Sequence, residues 1–398
     1  RPWITLPPCQ SNTIVNTQAT IWPPRNPAST SVHVRPKWVF TISEMRTIEH
    51  APSLVEKRTW KFTPVDDDGQ AIMAKGLDVV EHDQKPQVFE EKMEKITRFR
   101  GALLGLACGD AVGTTVEFKK RGTFVPVTDM VGGGPFHLKP GEWTDDMSMA
   151  LCLATSLVER GQFDAQDQMS RYCRWRDEGY LSSNGKCFDI GGTVSLALRK
   201  FKETGETFSG PTDENSAGNG CIMRLAPVPM FFHPDREAII AMSGESSRTT
   251  HGAVECIEAS QLFGAMLFQA LNGATKEEIL FGHGFESISS KKLLAIARAD
   301  YKSKSEADIQ GSGYVVESLE AALWCFMKTS NFKDAILRAT NLGRDADTTA
   351  AICGQVAGAF YGESGIPLHW REQLVMADEI RLLAGKLYHG KPGAILPT

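Results

Sequence analysis

Residues 98–118, RFRGALLGLACGDAVGTTVEF, place glycines at 101, 105, 109 and 113, a strict four-residue spacing among alanines and leucines. Four residues is about one helical turn, so the glycines fall on one stripe of a helix. Glycine inside a helix costs about 1 kcal/mol relative to alanine. Four of them must therefore be compensated, most plausibly by the very close approach of another helix. A second run of the same kind lies far along the chain: TTAAICGQVAGAFYG, residues 348–362, carries Gly354, Gly358 and Gly362 among alanines. The two smooth helices are expected to lie deep in one core. Four-residue glycine spacing also occurs in membrane helices, but neither stretch has about 20 uninterrupted apolar residues. No transmembrane span is predicted.

Acidic clusters stand beside these runs. One is Thr144-Asp145-Asp146 in EWTDDMSMA; the other is Asp345-Ala346-Asp347-Thr348 in GRDADTTAAI. Each sits at the mouth of an Ala-rich helical run, so four carboxylates and two hydroxyls converge if the mouths meet. Without cations they would repel one another. Hard divalent ions such as Mg²⁺ or Mn²⁺ accept all-oxygen shells, and a pair of them neutralises four carboxylates. Zinc is the weaker choice, since neither cluster holds a His or Cys. Taken singly, each cluster also reads as a helix N-cap with acid in the first turn. Adjacent aspartates exceed what one cap needs, and the D-x-D-T pattern repeats the same ligand chemistry at a second helix start.

Beyond residue 95 the periodicity predicts helices in MSMALCLATSLVERG, GGTVSLALRKFKETG, AVECIEASQLFGAMLFQALNG, GYVVESLEAALWCFMKTS and REQLVMADEIRLLAGKLYHG, each bounded by Gly, Pro or Asn. The fold class is mainly α: a compact all-helical core with a small β-containing N-terminal extension. Ten of the twenty prolines precede residue 87, which sets the main boundary. Two domains are expected, residues 1–94 as a Pro-rich arm with short strands and 95–398 as the catalytic domain. The strands are expected in SVHVRPKWVFTI and KRTWKFTPV, with a turn at Asp66-Asp67-Asp68-Gly69. A formal charge of −5 and no basic run argue against nucleic-acid binding. Nine cysteines without CxxC pairs, several inside apolar helical runs, suit a reducing cytoplasm. The chain starts with Arg1 rather than Met, so the natural N-terminus is expected to be missing or renumbered.

Five blocks, GALLGLACGDAVGTTVEF, EWTDDMSM, SAGNGCIMRLAPV, RTTHGAVEC and NLGRDADTTAAICGQVAGAFYG, resemble the ADP-ribosylglycohydrolases in kind and order, over roughly residues 95 to 390. The resemblance implies a binuclear Mg²⁺ or Mn²⁺ site with ligands Thr144, Asp145, Asp146, Asp345, Asp347 and Thr348. It places Glu117 near the scissile ribose, Ser216, Gly218 and Asn219 on the pyrophosphate and ribose, and His251 against the substrate. Two positions depart from the family pattern: Met147 stands where Thr commonly follows the paired aspartates, and Arg344 stands where Gly commonly precedes the second cluster. From the residues alone, SAGNG is a small-residue loop before an apolar run, where backbone N–H groups can cradle a phosphate, or an ordinary turn.

The activity so implied is hydrolysis of the bond between ADP-ribose and a protein side chain, with arginine the acceptor and an ADP-ribosylated protein the partner. Asp146 or Asp345 is the candidate general base, and Glu117 completes the catalytic set. Two alternatives stand beside it. One is a different ADP-ribosyl linkage, such as O-linked serine. The other is an immunity or binding role, in which residues 1–60 occlude an ADP-ribosyltransferase toxin through Trp3, Ile21, Trp22 and Trp38.

Overall fold

The computed structural model describes residues 37–40, 62–65 and 86–389. The chain groups into two units, Arg1–Asp83 and Gln84–Thr398. Within the first, β1 (Lys37–Phe40) pairs antiparallel with β2 (Phe62–Val65), Lys37 opposite Val65 and Phe40 opposite Phe62. Both strands fall in the runs expected to form them. The expected arm, with Trp3, Ile21 and Trp22, and the turn at 66–69 lie outside the described residues.

Among its described residues, the second unit builds its regular structure from helices. Its helices are α1 (Pro86–Gly113), α2 (Asp145–Arg160), α3 (Ala165–Glu178), α4 (Gly192–Thr204), α5 (Pro227–Phe232), α6 (Arg236–Thr250) and α7 (Val254–Leu271). They continue with α8 (Lys276–Phe281), α9 (Lys291–Ala297), α10 (Val315–Met327), α11 (Phe332–Thr340), α12 (Ala346–Gly365), α13 (Leu368–Gln373) and α14 (Ala377–His389). The all-α expectation holds for this unit.

The glycine stripes explain the centre of the fold. Helices α1 and α12 run antiparallel, with Gly101 facing Gly358, Gly105 facing Gly354 and Gly109 facing Ala350. The backbones touch: a Cβ placed on Gly105 would lie 2.2 Å from the Gly354 carbonyl oxygen, and one on Gly354 would lie 2.0 Å from that of Gly105. No side chain fits between them. At the C-terminal end of α1, a Cβ on Gly113 would lie 2.4 Å from Asp347 Cα. The same close approach therefore fixes the second acidic cluster against the segment that leads to Glu117.

Helix α12 is buried along its length from Ala346 to Ala359, and its chain breaks at Gly362, whose φ is 69°. Around the pair, α2, α5, α7, α10 and α11 contribute apolar residues to one continuous core. Each expected segment is helical, with one difference, while α3, α5, α6, α8, α9 and α11 form in stretches where no helix was expected. REQLVMADEIRLLAGKLYHG is two helices, α13 and α14, rather than one. Between them the Val375 N–H donates to Gly141 O at 3.0 Å, Trp143 Nε1 donates to Val375 O at 3.3 Å, and Met376 takes φ 56°. The long-range hydrogen bonds outcompete continuation of the helix, and helical periodicity carries no sign of them.

Candidate active site

The side chains of the two acidic helix starts bear on whether they act as caps or as a site. Ordinary caps are present elsewhere: Asp164 accepts from Asp167 N, Asp235 from Ala238 N and Asn331 from Asp334 N. Thr144 and Asp345 hold the same N-cap positions on α2 and α12, yet neither side chain makes a cap hydrogen bond. The capping of α2 comes instead from another helix. Asp110, fully buried on α1, accepts from Thr144 N at 2.8 Å and Thr144 Oγ1 at 2.9 Å through Oδ1, and from Met147 N at 3.0 Å through Oδ2. Asp145 and Asp146 are thereby released from the usual work of a helix start.

The two clusters do meet. Thr144 Oγ1 lies 3.4 Å from Asp347 Oδ2. Glu117, reached from α1 through a 3-10 turn at Thr114–Val116, joins Asp345 and Asp347 with carboxylate oxygens all within 4.8 Å of one another. Glu117 thus shares the cation-competent cluster instead of standing apart from it. These residues form one wall of a cavity of about 630 Å³, together with Asp145, Thr348 and Asp189. Gly218, Asn219, Gly220 and His251 line it as well, as do Gly191, Gly192 and Arg344.

Such crowding is unfavourable for bare carboxylates. Burial, then the Asp189 charge, pushes Glu117 up to about 9. Burial raises Asp110 to about 7 and Asp189 to about 6. Asp145, Asp146, Asp345 and Asp347 are also raised, burial being the largest cause for each. Both oxygens of Asp146, Asp347 Oδ1 and Glu117 Oε2 are buried without a hydrogen-bond partner among the described residues. Buried polar atoms are almost always satisfied. An all-oxygen set of orphaned carboxylates fits a hard divalent cation, which satisfies them and lowers their repulsion together.

The SAGNG loop is placed by α10 and α12. Asn219 Nδ2 donates to Asp345 Oδ2 at 2.6 Å and to Ser318 Oγ at 3.0 Å, so this side chain orients a cluster carboxylate. The expectation of free backbone donors is narrowed: Gly218 N bonds to Ser216 O at 2.8 Å and Asn219 N to Gly313 O at 3.1 Å. Ser216 does not line the cavity, and its hydroxyl donates to Asp213 O at 2.7 Å. His251 does line it. Burial and then the Arg224 charge hold its imidazole down to about 3, hence neutral. Arg224 Nη2 donates to Thr250 Oγ1 at 2.6 Å, and that hydroxyl lies 2.9 Å from His251 Nδ1. Nδ1 is thus engaged by Thr250, and Nε2 is the ring nitrogen turned toward the glycine loop. A Cβ on Gly218 would lie 3.3 Å from Nε2 and one on Gly220 2.8 Å from the ring's Cε1, so the glycine loop packs closely on this edge of the ring.

Two residues escaped the reading of the sequence. Asp110 had a signal, the lone charge in the glycine-striped stretch 101–113 of α1. Asp189, in CFDIGGT, had only the paired glycines that follow it. Its φ of 60° marks a strained turn.

The fold and site together define a helical protein with a carboxylate-walled, cation-competent cleft beside a glycine loop. The model of the ADP-ribosylglycohydrolase family matches residues 91–395, and the chain belongs to that family. It is 43% identical over 307 residues to an ADP-ribosylarginine hydrolase Tri1 of Serratia proteamaculans (strain 568), covering 77% of this chain and 83% of that protein. It is 47% identical over 299 residues to an ADP-ribosylarginine hydrolase Tri1 of Pseudomonas putida (strain GB-1), covering 75% and 80%. A solved structure described as an ADP-ribosylglycohydrolase-related protein complex superposes with a TM-score of 0.67 at 40% identity, covering 75% of this chain and 99% of the other. No described helix is long and apolar enough to cross a membrane.

Proposed function

We propose that this chain is a hydrolase that removes ADP-ribose from arginine side chains of modified proteins. The observation that carries the reading is the convergence of Glu117, Asp345 and Asp347 on the wall of a cavity of about 630 Å³, large enough for a dinucleotide-sized ligand. Its relatives with this family's architecture are named for the same activity. In the reaction, water adds at the anomeric carbon, the C–N bond to the guanidine breaks, and the proton released by the water ends on the departing guanidinium.

The cofactor in this reading is two Mg²⁺ or Mn²⁺ ions, held by Thr144, Asp145, Asp146, Asp345, Asp347 and Thr348. When bound, such ions supply positive charge beside the ribose hydroxyls and the developing oxocarbenium-like transition state. The chain's own residues do the remaining work. Asp345, steered by the Asn219 amide, takes the proton of the attacking water. Asp146, wholly buried, holds its place behind the wall and adds negative charge there. Glu117 faces the ribose. Gly218, Asn219 and the His251 ring bound the ADP-ribose side, with Ser216 fixing the turn that carries them.

The test is hydrolysis of an ADP-ribosyl-arginine protein by the full chain with Mg²⁺ or Mn²⁺ and then with chelator. Asp345→Ala and Asp347→Ala are expected to abolish turnover while leaving the helical circular-dichroism spectrum intact. Full activity of both variants in metal-free buffer refutes the mechanism. Activity on O-linked ADP-ribosyl-serine, with none on arginine, refutes the acceptor.

The reading extends to place and partner. The eight described cysteines are free and, except Cys187, buried, which supports a cytoplasmic location. The proline-rich composition supports a separate N-terminal region, but the expected division at residue 94 falls inside α1 and moves to the boundary between Asp83 and Gln84; residues 1–60 are the segment we assign to an ADP-ribosyltransferase partner.

A further inference from the structure

We propose that Phe118, braced by Phe136 and Phe188, forms the specificity-determining surface for the arginine side chain that bears the ADP-ribose. The proposal rests on the arginine-hydrolase reading above and adds the residue that recognises the acceptor.

Phe118 follows Glu117 directly and lines the same cavity. Its backbone is left-handed, with φ 61°, a conformation that is an outlier for a bulky residue. The chain is held in it from across the cleft: Phe118 N donates to Arg344 O at 2.6 Å and Arg344 N donates to Lys119 O at 2.7 Å. The outcome is a phenylalanine that is 68% exposed, next to a cluster in which Glu117 and Asp347 are buried. Strain kept in order to expose an aromatic ring at a cavity mouth points to a ligand contact.

The ring does not stand alone. Phe136 meets it edge-on, with centroids 6.4 Å apart and planes at 75°. Phe188 lies 5.2 Å from Phe136. Each brace comes from a loop tied to the site. The loop of Phe136 is pressed onto the end of α1 at Gly134, where a Cβ would lie 2.0 Å from Thr114 O. Phe188 precedes Asp189, whose carboxylate lines the cavity and lies outside the proposed cation ligands.

An exposed ring face at the mouth of a cavity lined by carboxylates is complementary to a planar cation. Adenine offers a flat face without the charge that such a cavity favours. Among the described residues lining the cavity, Arg344 is the one basic side chain against five carboxylates, Glu117, Asp145, Asp189, Asp345 and Asp347. With Glu117 at the ribose, the next residue is placed where the acceptor side chain must leave.

The experiment compares the metal-loaded full chain with Phe118→Ala and Phe118→Trp. It measures KM and kcat on ADP-ribosyl-arginine and calorimetric affinity for free ADP-ribose. Phe118→Ala is expected to raise KM about tenfold, more than it lowers kcat, with ADP-ribose affinity held within about twofold and with Phe118→Trp restoring KM. An unchanged KM overturns the proposal. So does a loss of ADP-ribose affinity equal to the rise in KM, which would put the ring on the nucleotide instead of the acceptor. If the unsubstituted chain binds ADP-ribose but does not cleave the arginine linkage, the functional reading itself fails and the subsite with it. That result is distinct from either variant outcome.

Discussion

Replacing one glycine of the stripe by alanine tests the packing argument, because the same substitution elsewhere in the chain should act with the opposite sign. In Gly105→Ala the new Cβ would sit 2.2 Å from Gly354 O and 3.1 Å from Gly358 Cα. Ordinary contact begins at 3.4 Å, so the helices must part by 3.4 − 2.2 = 1.2 Å at that level. The obstructing atoms are backbone and cannot rotate away. A gap of that size forfeits a quarter to a half or more of the dispersion energy of each contact it opens, and overpacking alone costs about 1–3 kcal/mol or more. Improved helix propensity returns only about 1 kcal/mol. We expect a net loss of about 2 kcal/mol or more, and weaker divalent-cation binding, since parting α1 from α12 draws Glu117 away from Asp345 and Asp347. Gly385, in α14, has nothing within 4 Å of a Cβ. Gly385→Ala should therefore stabilise by up to about 1 kcal/mol. Chemical denaturation of both variants, with calorimetric cation titration, decides the matter. Equal stability of Gly105→Ala and the parent chain would refute the close-packing account.

Asn219→Ala should weaken ADP-ribose binding by about 1–3 kcal/mol, and because the amide also orients Asp345, it should lower cation affinity; calorimetry with each ligand checks both, and unchanged values remove Asn219 from the site. In cation-free protein, Glu117 is raised from 4.5 to about 9 by burial and then by the Asp189 charge, so the folded state holds the proton that the unfolded state releases. Its contribution to stability is fully present at and below pH 4.5 and is lost as pH rises toward 9, while Mg²⁺ or Mn²⁺ should stabilise more at the alkaline end of that window. Thermal melts in chelator and in metal across the window would expose a flat profile as the contrary result. Deletion of residues 1–60 should leave arginine-linked hydrolysis nearly intact and abolish capture of an ADP-ribosyltransferase; loss of activity in step with stability would make the segment a brace for the core.

What the sequence made legible follows the range of the interactions concerned. The glycine stripes could be read because a four-residue period is local, and its need for a partner backbone is a general property of helices. The two acidic clusters could be read as chemistry, but their convergence could not be derived from spacing, since Thr144 and Asp347 are about two hundred residues apart. Asp110 went unread for the same reason: its three hydrogen bonds all cross to residues 144 and 147. Phe118, Asp189 and Arg344 owe their roles to left-handed backbone, which no composition rule assigns to phenylalanine or arginine. Yet these features are not independent of the stripe. Gly113 lets α1 end directly over Asp347 Cα, and Glu117 and Phe118 follow within five residues. The backbone contact that permits the core thus also delivers one carboxylate to the cation cluster and one aromatic ring to its mouth. A substitution that widens the helix pair should therefore change cation affinity and acceptor recognition together, before the core itself is lost.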